Sequence, residues 1–281
     1  MPDTSDHDAA SRGDRPLALV TGGSAGLGLV IAKTFLHAGY HVLIVGRSHE
    51  RLQLAKNQLC EIGPEVSAWQ CNVLDLSDVQ ELSDRIRTQF GRLDVLVNNI
   101  GQSDRGLSSE LAADHLRTIF DRNVITMLQC SQAVLPLLES SRGSIVNIGS
   151  LAGKVGARYL GAYVAAKHAV SGLTQQMRLE WREKGIHVAI VSPGPIRRPD
   201  EGTRYSEHAG GSLPEHATRP GGGTRVKGLP PERVAKAVLL CAQRKRTDVI
   251  LPGYLRLLIT LGNAAPWLGD WLLLKFTSKG S

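Results

Sequence analysis

Short apolar runs alternate along the chain with longer stretches in which apolar residues recur at helical spacing. The short runs predict strands buried on both faces, because such strands are apolar throughout rather than at every second position. The predicted strands are Leu17–Thr21, Val42–Gly46, Val66–Gln70, Val95–Asn98, Ser144–Ile148 and His187–Ser192, with Val249–Leu251 as a seventh. The helical spacing predicts helices near 27–38, 49–61, 77–90, 110–138 and 159–184.

This alternation predicts an α/β fold of the Rossmann type: a doubly wound, seven-stranded, mostly parallel sheet with helices on both faces. The length of 281 residues suits one large domain, which we expect to span 16–253. Residues 1–15 are polar and contain no apolar run, so we interpret them as a disordered lead-in rather than a secretory signal. Residues 254–281 form an apolar C-terminal tail.

Residues 193–231 interrupt the alternation with seven Pro, eight Gly and six Arg or Lys. A segment of this length without regular structure is usually either functional or disordered. We interpret it as a mobile substrate-binding lid, with a disordered insertion as the alternative. The next helix is expected to begin near Glu232, after Pro230 and Pro231.

The apolar part of the tail, 254–276, contains two apolar runs, and neither approaches the ~20 residues of a membrane span. One interpretation is a pair of short helices that pack on the body or on another subunit. The other is shallow insertion into a membrane surface, with Trp267 and Trp271 at the interface and Arg256 and Lys275 at lipid phosphates.

Charge is unevenly shared along the chain. Residues 1–140 contain 12 Lys/Arg and 17 Asp/Glu, whereas residues 141–281 contain 21 and 9, so the two halves carry −5 and +12. The basic half favours anionic substrates, phosphates or a membrane surface, with a solvated basic surface as the alternative. Neither aromatic-basic interleaving nor a nucleic-acid motif is present, so no nucleic-acid partner is expected. Four scattered cysteines predict reduced thiols in a cytoplasmic protein and no metal site.

A glycine-rich segment follows the first predicted strand and opens the first predicted helix. Glycines permit a sharp turn, and the helix N-terminus offers free N–H groups to phosphates. This context predicts a dinucleotide site formed by Thr21, Gly22, Ser24, Gly26, Leu27 and Gly28. The segment also fits the Gly-x-Ser-x-Gly motif of hydrolases, with Ser24 as nucleophile. That motif needs an oxyanion loop from an earlier strand, and only about twenty residues precede it.

Tyr163 and Lys167 lie one turn apart on a predicted helix, so both project from one face. An isolated Tyr hydroxyl titrates near pH ~10. A nearby ammonium favours the phenolate and draws this pKa toward the range in which a general acid works best. An ordinary amphipathic helix would produce the same spacing. Ser150, thirteen residues upstream, and the glycine turn favour the catalytic interpretation.

The end of the second predicted strand bears on cofactor choice. NAD enzymes place an acidic residue there, about 20 residues past the glycines, to bind the ribose 2′-hydroxyl. Here Arg47 and Ser48 occupy that place, and the nearest acid is Glu50. Arg47 can pair with a 2′-phosphate in a bidentate manner, with a further hydrogen bond from Ser48. The sequence therefore predicts NADP(H) rather than NAD(H), with a solvated loop charge as the alternative for Arg47.

These motifs, together with Asn98-Asn99-Ile100-Gly101, resemble the classical short-chain dehydrogenase/reductase family over roughly residues 16–252. The resemblance implies that 16–253 is an NAD(P)-binding catalytic domain that exchanges hydride with a small-molecule ketone or secondary alcohol. It further implies that Tyr163 is the general acid/base and that Lys167 lowers its pKa, both residues lying at the nicotinamide ribose. Ser150 would stabilise the substrate oxygen.

The same resemblance assigns further cofactor and relay residues. Asn123 would hold a proton-relay water near the Lys. The adenosine half of the cofactor would lie against Asn98, Asn99 and Gly101, and the nicotinamide against Pro193, Gly194, Pro195 and Ile196.

Two positions depart from the family pattern. Asn72, followed by Val73, stands where an Asp commonly contacts adenine, and its carbonyl can still accept that hydrogen bond. Arg197 and Arg198 stand where a Thr often binds the cofactor. They would grip cofactor phosphates or an acidic substrate, or lie on the lid, and the sequence leaves this choice open.

The predicted function is therefore NADP(H)-dependent reduction of a ketone or oxidation of a secondary alcohol. The basic lid and apolar tail hint at a lipid-like, steroid-like or acyl substrate. A non-catalytic cofactor-binding protein and a hydrolase that uses Ser24 are the alternatives. By analogy with the family, a homo-oligomer would form through the helix that carries Tyr163. The predicted location is cytoplasmic, with peripheral membrane contact through 254–276 as an option.

Overall fold

The computed structural model describes residues 15–197, 213–214, 217 and 226–277, with the backbone alone at 276 and 277. Its centre is a seven-stranded sheet with the strand order β3-β2-β1-β4-β5-β6-β7, in which every neighbouring pair is parallel. The strands are β1 (Leu17–Thr21), β2 (His41–Gly46), β3 (Val66–Gln70), β4 (Val95–Asn98), β5 (Ser144–Ile148), β6 (His187–Pro193) and β7 (Asp248–Leu251). The predicted fold class is confirmed.

Helices connect the strands and cover the sheet. They are α1 (Gly26–His37), α2 (His49–Cys60), α3 (Leu76–Phe90), α4 (Ala113–Phe120), α5 (Thr126–Ala133), α6 (Leu135–Ser141), α7 (Tyr163–Glu180), α8 (Pro231–Arg244), α9 (Leu255–Ala264) and α10 (Pro266–Thr277). None of the helices in the described part of the chain has the length and apolarity needed to cross a membrane.

The sheet has an apolar layer on each face. Successive residues of a strand point to opposite faces, so Leu17 and Leu19 of β1 belong to one buried cluster and Ala18 and Val20 to the other. The first cluster includes side chains of α3 to α7, and the second includes those of α1, α2 and α8. Because both faces are covered, the strands are apolar at consecutive positions, which is the pattern seen in the sequence.

Two predicted helices differ from those observed. The helix expected at 110–138 is divided into three, with a π-helical turn at Asp121–Ile125 between α4 and α5. Pro136 lies in the first turn of α6, where its missing N–H costs nothing, and this favours a new helix start. The helix expected at 159–184 begins only at Tyr163, because Tyr159 (φ 65°) and Gly161 (φ 49°) adopt left-handed conformations that end any preceding helix.

The sheet order places a ligand crevice beside β1. The strand lies between β2 and β4, so the chain winds in one direction from β1 to β3 and in the other direction from β4 onward. Ligands of doubly wound sheets bind at the carboxyl ends of the strands beside this reversal. The glycine turn follows β1, Asn99 follows β4, and Ser150 follows β5, so the motifs meet at this edge.

Much of the predicted lid and lead-in falls outside the described residues. Residues 1–14 are among these, and so are Arg198 and most of 199–225. The described ends of the lid segment approach each other at Ile196 and Leu229, which form an isolated parallel bridge. The lid interpretation remains a prediction.

Candidate active site

The glycine turn brings the N-terminus of α1 close to the end of β1. Gly22 (φ 64°) and Gly26 (φ 53°) adopt left-handed conformations that glycine favours. A Cβ at Gly28 would lie 2.2 Å from the backbone oxygen of Gly22, so only glycine permits this approach. The N-cap residue of α1, Ala25, has no side chain that can cap the helix. The first backbone N–H groups of α1 are therefore suited to an anionic ligand.

Hydrogen bonds from β4 hold this turn in place. The Thr21 hydroxyl donates to Val97 O (3.2 Å) and accepts from the backbone N–H of Asn99 (3.0 Å). The Asn99 side chain donates back to Thr21 O (3.0 Å). Thr21 is almost fully buried, so its side chain stabilises the turn and does not face a ligand.

Asn98 and Asn99 point in different directions. The Asn98 amide is buried and donates to Ser131 Oγ and Asn147 Oδ1, both at 2.9 Å. Asn147 in turn donates to Thr174 Oγ1 of α7. The Asn98 side chain therefore joins β4, β5, α5 and α7 through the core and does not line the cavity, whereas Asn99 does.

Ser150, Tyr163 and Lys167 line one cavity of about 1660 Å³, which also reaches Gly26 and Gly28 of the glycine turn. The cavity therefore joins the candidate phosphate site to the candidate catalytic residues. Its size is sufficient for a dinucleotide and a substrate together, since typical ligand cavities measure ~300–1,000 Å³.

Lys167 is buried beneath Tyr163. Its ammonium donates to Ile148 O at 2.9 Å and lies 5.6 Å from the centre of the Tyr163 ring. Burial lowers the pKa of Lys167 from 10.5 to about 8, because the charged form loses its hydration. Such a buried, perturbed ammonium beside a Tyr in a cavity is typical of a functional site.

Asn123 faces the same space as Lys167. The π-helical turn directs its amide group to Gln102 O (3.0 Å) and Ile119 O (2.9 Å). Its Oδ1 is buried and accepts no hydrogen bond from any described residue. A Cβ at Gly101 would lie 2.7 Å from this oxygen and 3.2 Å from Lys167 Nζ. Gly101 thus leaves a small polar gap between the amide oxygen and the ammonium.

Ser150 begins a short 3₁₀ turn, Leu151–Gly153, directly after β5. Its hydroxyl oxygen accepts a hydrogen bond from the backbone N–H of Ala152 at 3.1 Å. Since the oxygen is the acceptor in this bond, the hydroxyl proton can be donated to a substrate in the cavity.

The turn after β6 forms another wall of the cavity. Gly194 N donates to Leu251 O (2.8 Å), and Leu229 N donates to Pro195 O (2.7 Å). These bonds fix Pro193, Gly194 and Ile196, all of which line the cavity. Arg197 also lines it, while its Nε donates to Gly228 O at 3.0 Å.

Arg47 and Asn72 lie apart from the large cavity, in a smaller one of about 420 Å³. Ser48 is the N-cap of α2 and accepts from the backbone N–H of Arg51 (3.3 Å), so its hydroxyl already has a structural role. Val73 is buried in the core, which leaves only its backbone for a ligand. Asn72 Oδ1 accepts from Leu74 N (3.4 Å).

Three groups at the site were not found from the sequence. Arg51, one turn into α2, lines the large cavity. Asp104 accepts a hydrogen bond from the backbone N–H of Ala162 (2.8 Å), directly before Tyr163. The tail helices α9 and α10 form an apolar wall of the same cavity. The basic side chain of Arg51 and the apolar pattern of the tail were signals in the sequence. No local signal identifies Asp104, because its partner Ala162 lies 58 residues further along the chain.

The family model for short chain dehydrogenases matches residues 16–208. The chain belongs to this family. Two relatives show the extent of the similarity. A 3beta-hydroxysteroid dehydrogenase of Mediterraneibacter gnavus is 34% identical over 189 residues, covering 67% of this chain and 68% of that protein. Dehydrogenase/reductase SDR family member 7B of Xenopus laevis is 31% identical over 268 residues, covering 90% of this chain and 79% of that protein.

Solved structures of the family agree with the fold. A variant of actinorhodin polyketide ketoreductase with NADPH has a TM-score of 0.76 at 28% identity, covering 86% of this chain and 97% of that one. An NADPH-bound short chain oxidoreductase from Pseudomonas aeruginosa PAO1 has a TM-score of 0.72 at 26% identity, covering 84% of this chain and 95% of that one. As a short-chain dehydrogenase the protein is an oxidoreductase of the nicotinamide-dependent type, and the predicted family resemblance is confirmed.

Membership in this family argues against the hydrolase alternative. A hydrolytic Ser24 would need a histidine base within hydrogen-bond reach. Among the residues that the structure describes, Ser24 makes no hydrogen bond with a histidine. Its hydroxyl lies instead against the end of β2, where a Cβ at Gly46 would be 3.4 Å from it.

Proposed function

We propose that this short-chain dehydrogenase is an NADP(H)-dependent enzyme that reduces a ketone, or oxidises the corresponding secondary alcohol, with Tyr163 as general acid/base. One observation carries the proposal: Ser150, Tyr163 and the buried Lys167 line a single cavity that continues to the glycine turn. Asn123, beside Lys167, completes the predicted set of catalytic residues. A protein that only bound the cofactor would not need these four residues.

In the reducing direction, the hydroxyls of Ser150 and Tyr163 donate hydrogen bonds to the carbonyl oxygen of the substrate. The bound cofactor supplies the hydride. As negative charge develops on the substrate oxygen, Ser150 stabilises it and Tyr163 transfers its proton to it. The Lys167 ammonium then stabilises the resulting phenolate, and the low polarity around it strengthens this attraction.

Asn123 and Lys167 are suited to restore the proton of Tyr163. The unpartnered Oδ1 of Asn123 and the Lys167 ammonium border the gap beside Gly101. A water in this gap would accept from the ammonium and donate to the amide oxygen, which satisfies both groups. Such a water would pass protons from solvent toward Lys167 and the Tyr hydroxyl.

The cofactor would lie along the crevice from the glycine turn to the β6 turn. The glycine turn leaves room for a pyrophosphate at Gly26, which lines the cavity and where a Cβ would meet nothing within 4 Å. Thr21 orders the backbone of that turn, and Gly22, Ser24, Gly26 and Leu27 would hold the phosphates. Adenosine would contact the segments containing Asn72, Val73, Asn99 and Gly101, and the nicotinamide ring would contact Pro193, Gly194 and Ile196.

NADP(H) is the proposed form of the cofactor. Arg47 and Arg51 flank the start of α2, with Arg51 in the large cavity and Arg47 in the small one. Two guanidinium groups at this place favour a 2′-phosphate over a bare ribose. Ser48 would contribute to 2′-phosphate binding indirectly, because it caps the start of α2, the helix that carries Arg51. The NADPH in the two related structures supports the same choice.

The apolar wall formed by the tail supports a lipid-like, steroid-like or acyl substrate. The names of the relatives, a polyketide ketoreductase and a hydroxysteroid dehydrogenase, are consistent with this class. We further propose a homo-oligomer that pairs through α7, a cytoplasmic location, and peripheral membrane contact through 254–276.

The experiment is an NADPH-consumption screen across steroids, acyl ketones, sphingoid ketones and simple quinones, repeated with NADH. We expect at least one class to be reduced, with a specificity constant about tenfold or more higher for NADPH, which corresponds to ~1.4 kcal/mol. Reduction only with NADH would contradict the cofactor assignment. No reduction of any class with either cofactor would contradict the activity.

A further inference from the structure

The two C-terminal helices form a preassembled hairpin, which we define as residues 255–275. α9 and α10 cross where Gly262 meets Gly269. A Cβ at Gly269 would lie 2.8 Å from Gly262 O, and a Cβ at Gly262 would lie 3.1 Å from Gly269 Cα. This backbone contact requires glycine at both positions. The hairpin is therefore a compact two-helix unit rather than two independent segments.

One face of the hairpin lines the active-site cavity. Leu258 and Ile259 of α9 and Leu272 and Leu273 of α10 line the same cavity as Tyr163. Ile259 shares a side of α9 with Leu255 and Gly262, and Leu273 shares a side of α10 with Gly269 and Asp270, all of which line the cavity. A substrate that reaches Tyr163 therefore meets a hydrocarbon surface, which favours an alkyl chain or a fused-ring skeleton.

The opposite face of the hairpin is also apolar, and it is exposed to solvent in the isolated chain. Its side chains are between 46% and 75% exposed: Leu257, Leu261, Trp267, Trp271 and Leu274. They recur at helical spacing on each helix, so they form a continuous patch. A helix that is apolar on both faces requires a second apolar environment, and an exposed patch of this kind marks an interaction site.

Charge at the rim of the patch favours a lipid surface. Arg256 and Lys275 are both exposed, and the Lys275 ammonium lies 4.7 Å from the centre of the Trp271 ring. Asp270, the acid in the hairpin, lines the cavity on the other side. Tryptophans with adjacent Lys and Arg are typical of segments that lie in the headgroup region. α10 has 12 residues and is ~18 Å long, so it is too short to span a bilayer core of ~30 Å.

A second copy of the chain fits this face less well. A two-fold contact between identical patches would bring Arg256 and Lys275 of one copy near the same two charges of the other. An anionic bilayer supplies the opposite charge as well as the apolar environment.

We infer that the hairpin docks the enzyme on the surface of an anionic phospholipid bilayer and thereby opens its cavity to a ketone or alcohol dissolved in that bilayer. The part concerning the substrate rests on the proposed function. Because the same two helices contact lipid on one face and line the cavity on the other, a hydrocarbon substrate would pass to Tyr163 without crossing water.

The first test measures docking without cofactor or substrate. The full chain is sedimented with sucrose-loaded vesicles of phosphatidylcholine, with and without phosphatidylglycerol. We expect sedimentation with the anionic vesicles, and a partition coefficient about tenfold or more lower for Trp267→Ser/Trp271→Ser. Leu54→Ser, which removes an apolar side chain that is 58% exposed on α2, is the matched control and should bind as the wild type does.

Three results would overturn the docking inference. One is that the wild type fails to sediment with anionic vesicles, and another is that the double variant sediments equally well. The third is that the double variant has a smaller oligomer mass in sedimentation velocity while neither protein binds vesicles, since a second copy would then cover the face.

The second test measures substrate delivery. With a long-chain ketone in anionic vesicles, the double variant should reduce it about tenfold more slowly than the wild type at limiting lipid. Its rate with a water-soluble ketone should be unchanged, because Trp267 and Trp271 do not line the cavity. Equal rates of the wild type and the double variant with the ketone in vesicles would overturn the inference that the hairpin delivers the substrate. If the wild type bound vesicles but reduced neither ketone, docking would stand and the proposed function would fail.

Discussion

The carboxylate of Asp104 accepts a 2.8 Å hydrogen bond from the backbone N–H of Ala162, the residue before Tyr163. Its other oxygen accepts from the backbone N–H of Arg105 (2.8 Å) and contacts His115 Nε2 (3.0 Å). Asp104 is buried, so these are strong, charge-assisted contacts. The N-cap residue of α7, Ala162, has no side chain that can cap the helix. Asp104 therefore fixes the position at which Tyr163 enters the cavity.

Asp104→Ala should lower kcat by about 10- to 100-fold, because a displacement of the general acid by ~1 Å has an effect of this size. It should also lower the free energy of unfolding by ~1–3 kcal/mol, since buried N–H donors lose their acceptor. Asp104→Asn keeps one carbonyl acceptor and should recover much of kcat. NADPH binding should change little in both variants, as measured by fluorescence titration.

Asp114→Ala is the matched control for this prediction. Its side chain is 94% exposed and forms an ion pair with Arg117, one turn away. Stability and kcat should stay close to wild type, within ~0.5 kcal/mol. A wild-type kcat in Asp104→Ala would contradict the positioning role.

Arg47→Ala and Arg51→Ala should each raise the KM for NADPH about 10- to 100-fold, because each removes a charge-assisted hydrogen bond of ~1.5–3 kcal/mol. The KM for NADH should change little. Arg87→Ala, an exposed arginine paired with Asp84 on α3, serves as control. An equal rise of KM for both cofactors would show that these arginines do not read the 2′-phosphate.

Lys167 predicts a pH dependence of stability. Its pKa is lowered to about 8 in the folded protein, and an unfolded Lys titrates near ~10.4. Below pH ~8 the folded state carries the full cost of a buried ammonium, and this cost disappears as the pH rises toward ~10.4. Relative to Lys167→Met, the wild type should therefore gain ~2 kcal/mol between about pH 7 and about pH 9.5.

Denaturant unfolding of both proteins without cofactor measures this difference. Burial also raises the pKa of Cys71 and Cys130 to about 12, which destabilises the folded state at high pH. Both proteins contain these thiols, so their effect cancels in the comparison. A difference that stays constant or shrinks with rising pH would show that Lys167 is not a buried ammonium.

Much of the fold could be predicted because its signals are local. All seven strands are short apolar runs, and their observed bounds differ from the predicted ones by at most one residue, as at His41 and Pro193. The glycine turn and the Tyr163–Lys167 spacing are also local patterns. The family assignment followed from their order along the chain.

The features missed depend on contacts between distant segments. Adjacent asparagines, Asn98 and Asn99, have the same local chemistry, and only the position of Ser131 and Asn147 decides which one is buried. Asp104 acquires its role through a backbone group 58 residues away. The role of the tail as a cavity wall likewise arises from tertiary packing, since its apolar pattern alone fitted both subunit and membrane contact.

The central claim is that Tyr163 transfers the proton to a carbonyl oxygen beside NADPH. The most direct measurement is single-turnover reduction of a ketone by Tyr163→Phe with saturating NADPH, after fluorescence titration has established that NADPH still binds. We predict a rate at least about 100-fold below wild type, since general acid catalysis contributes about 10²–10⁴. A Tyr163→Phe enzyme that reduced the ketone at the wild-type rate would contradict the account.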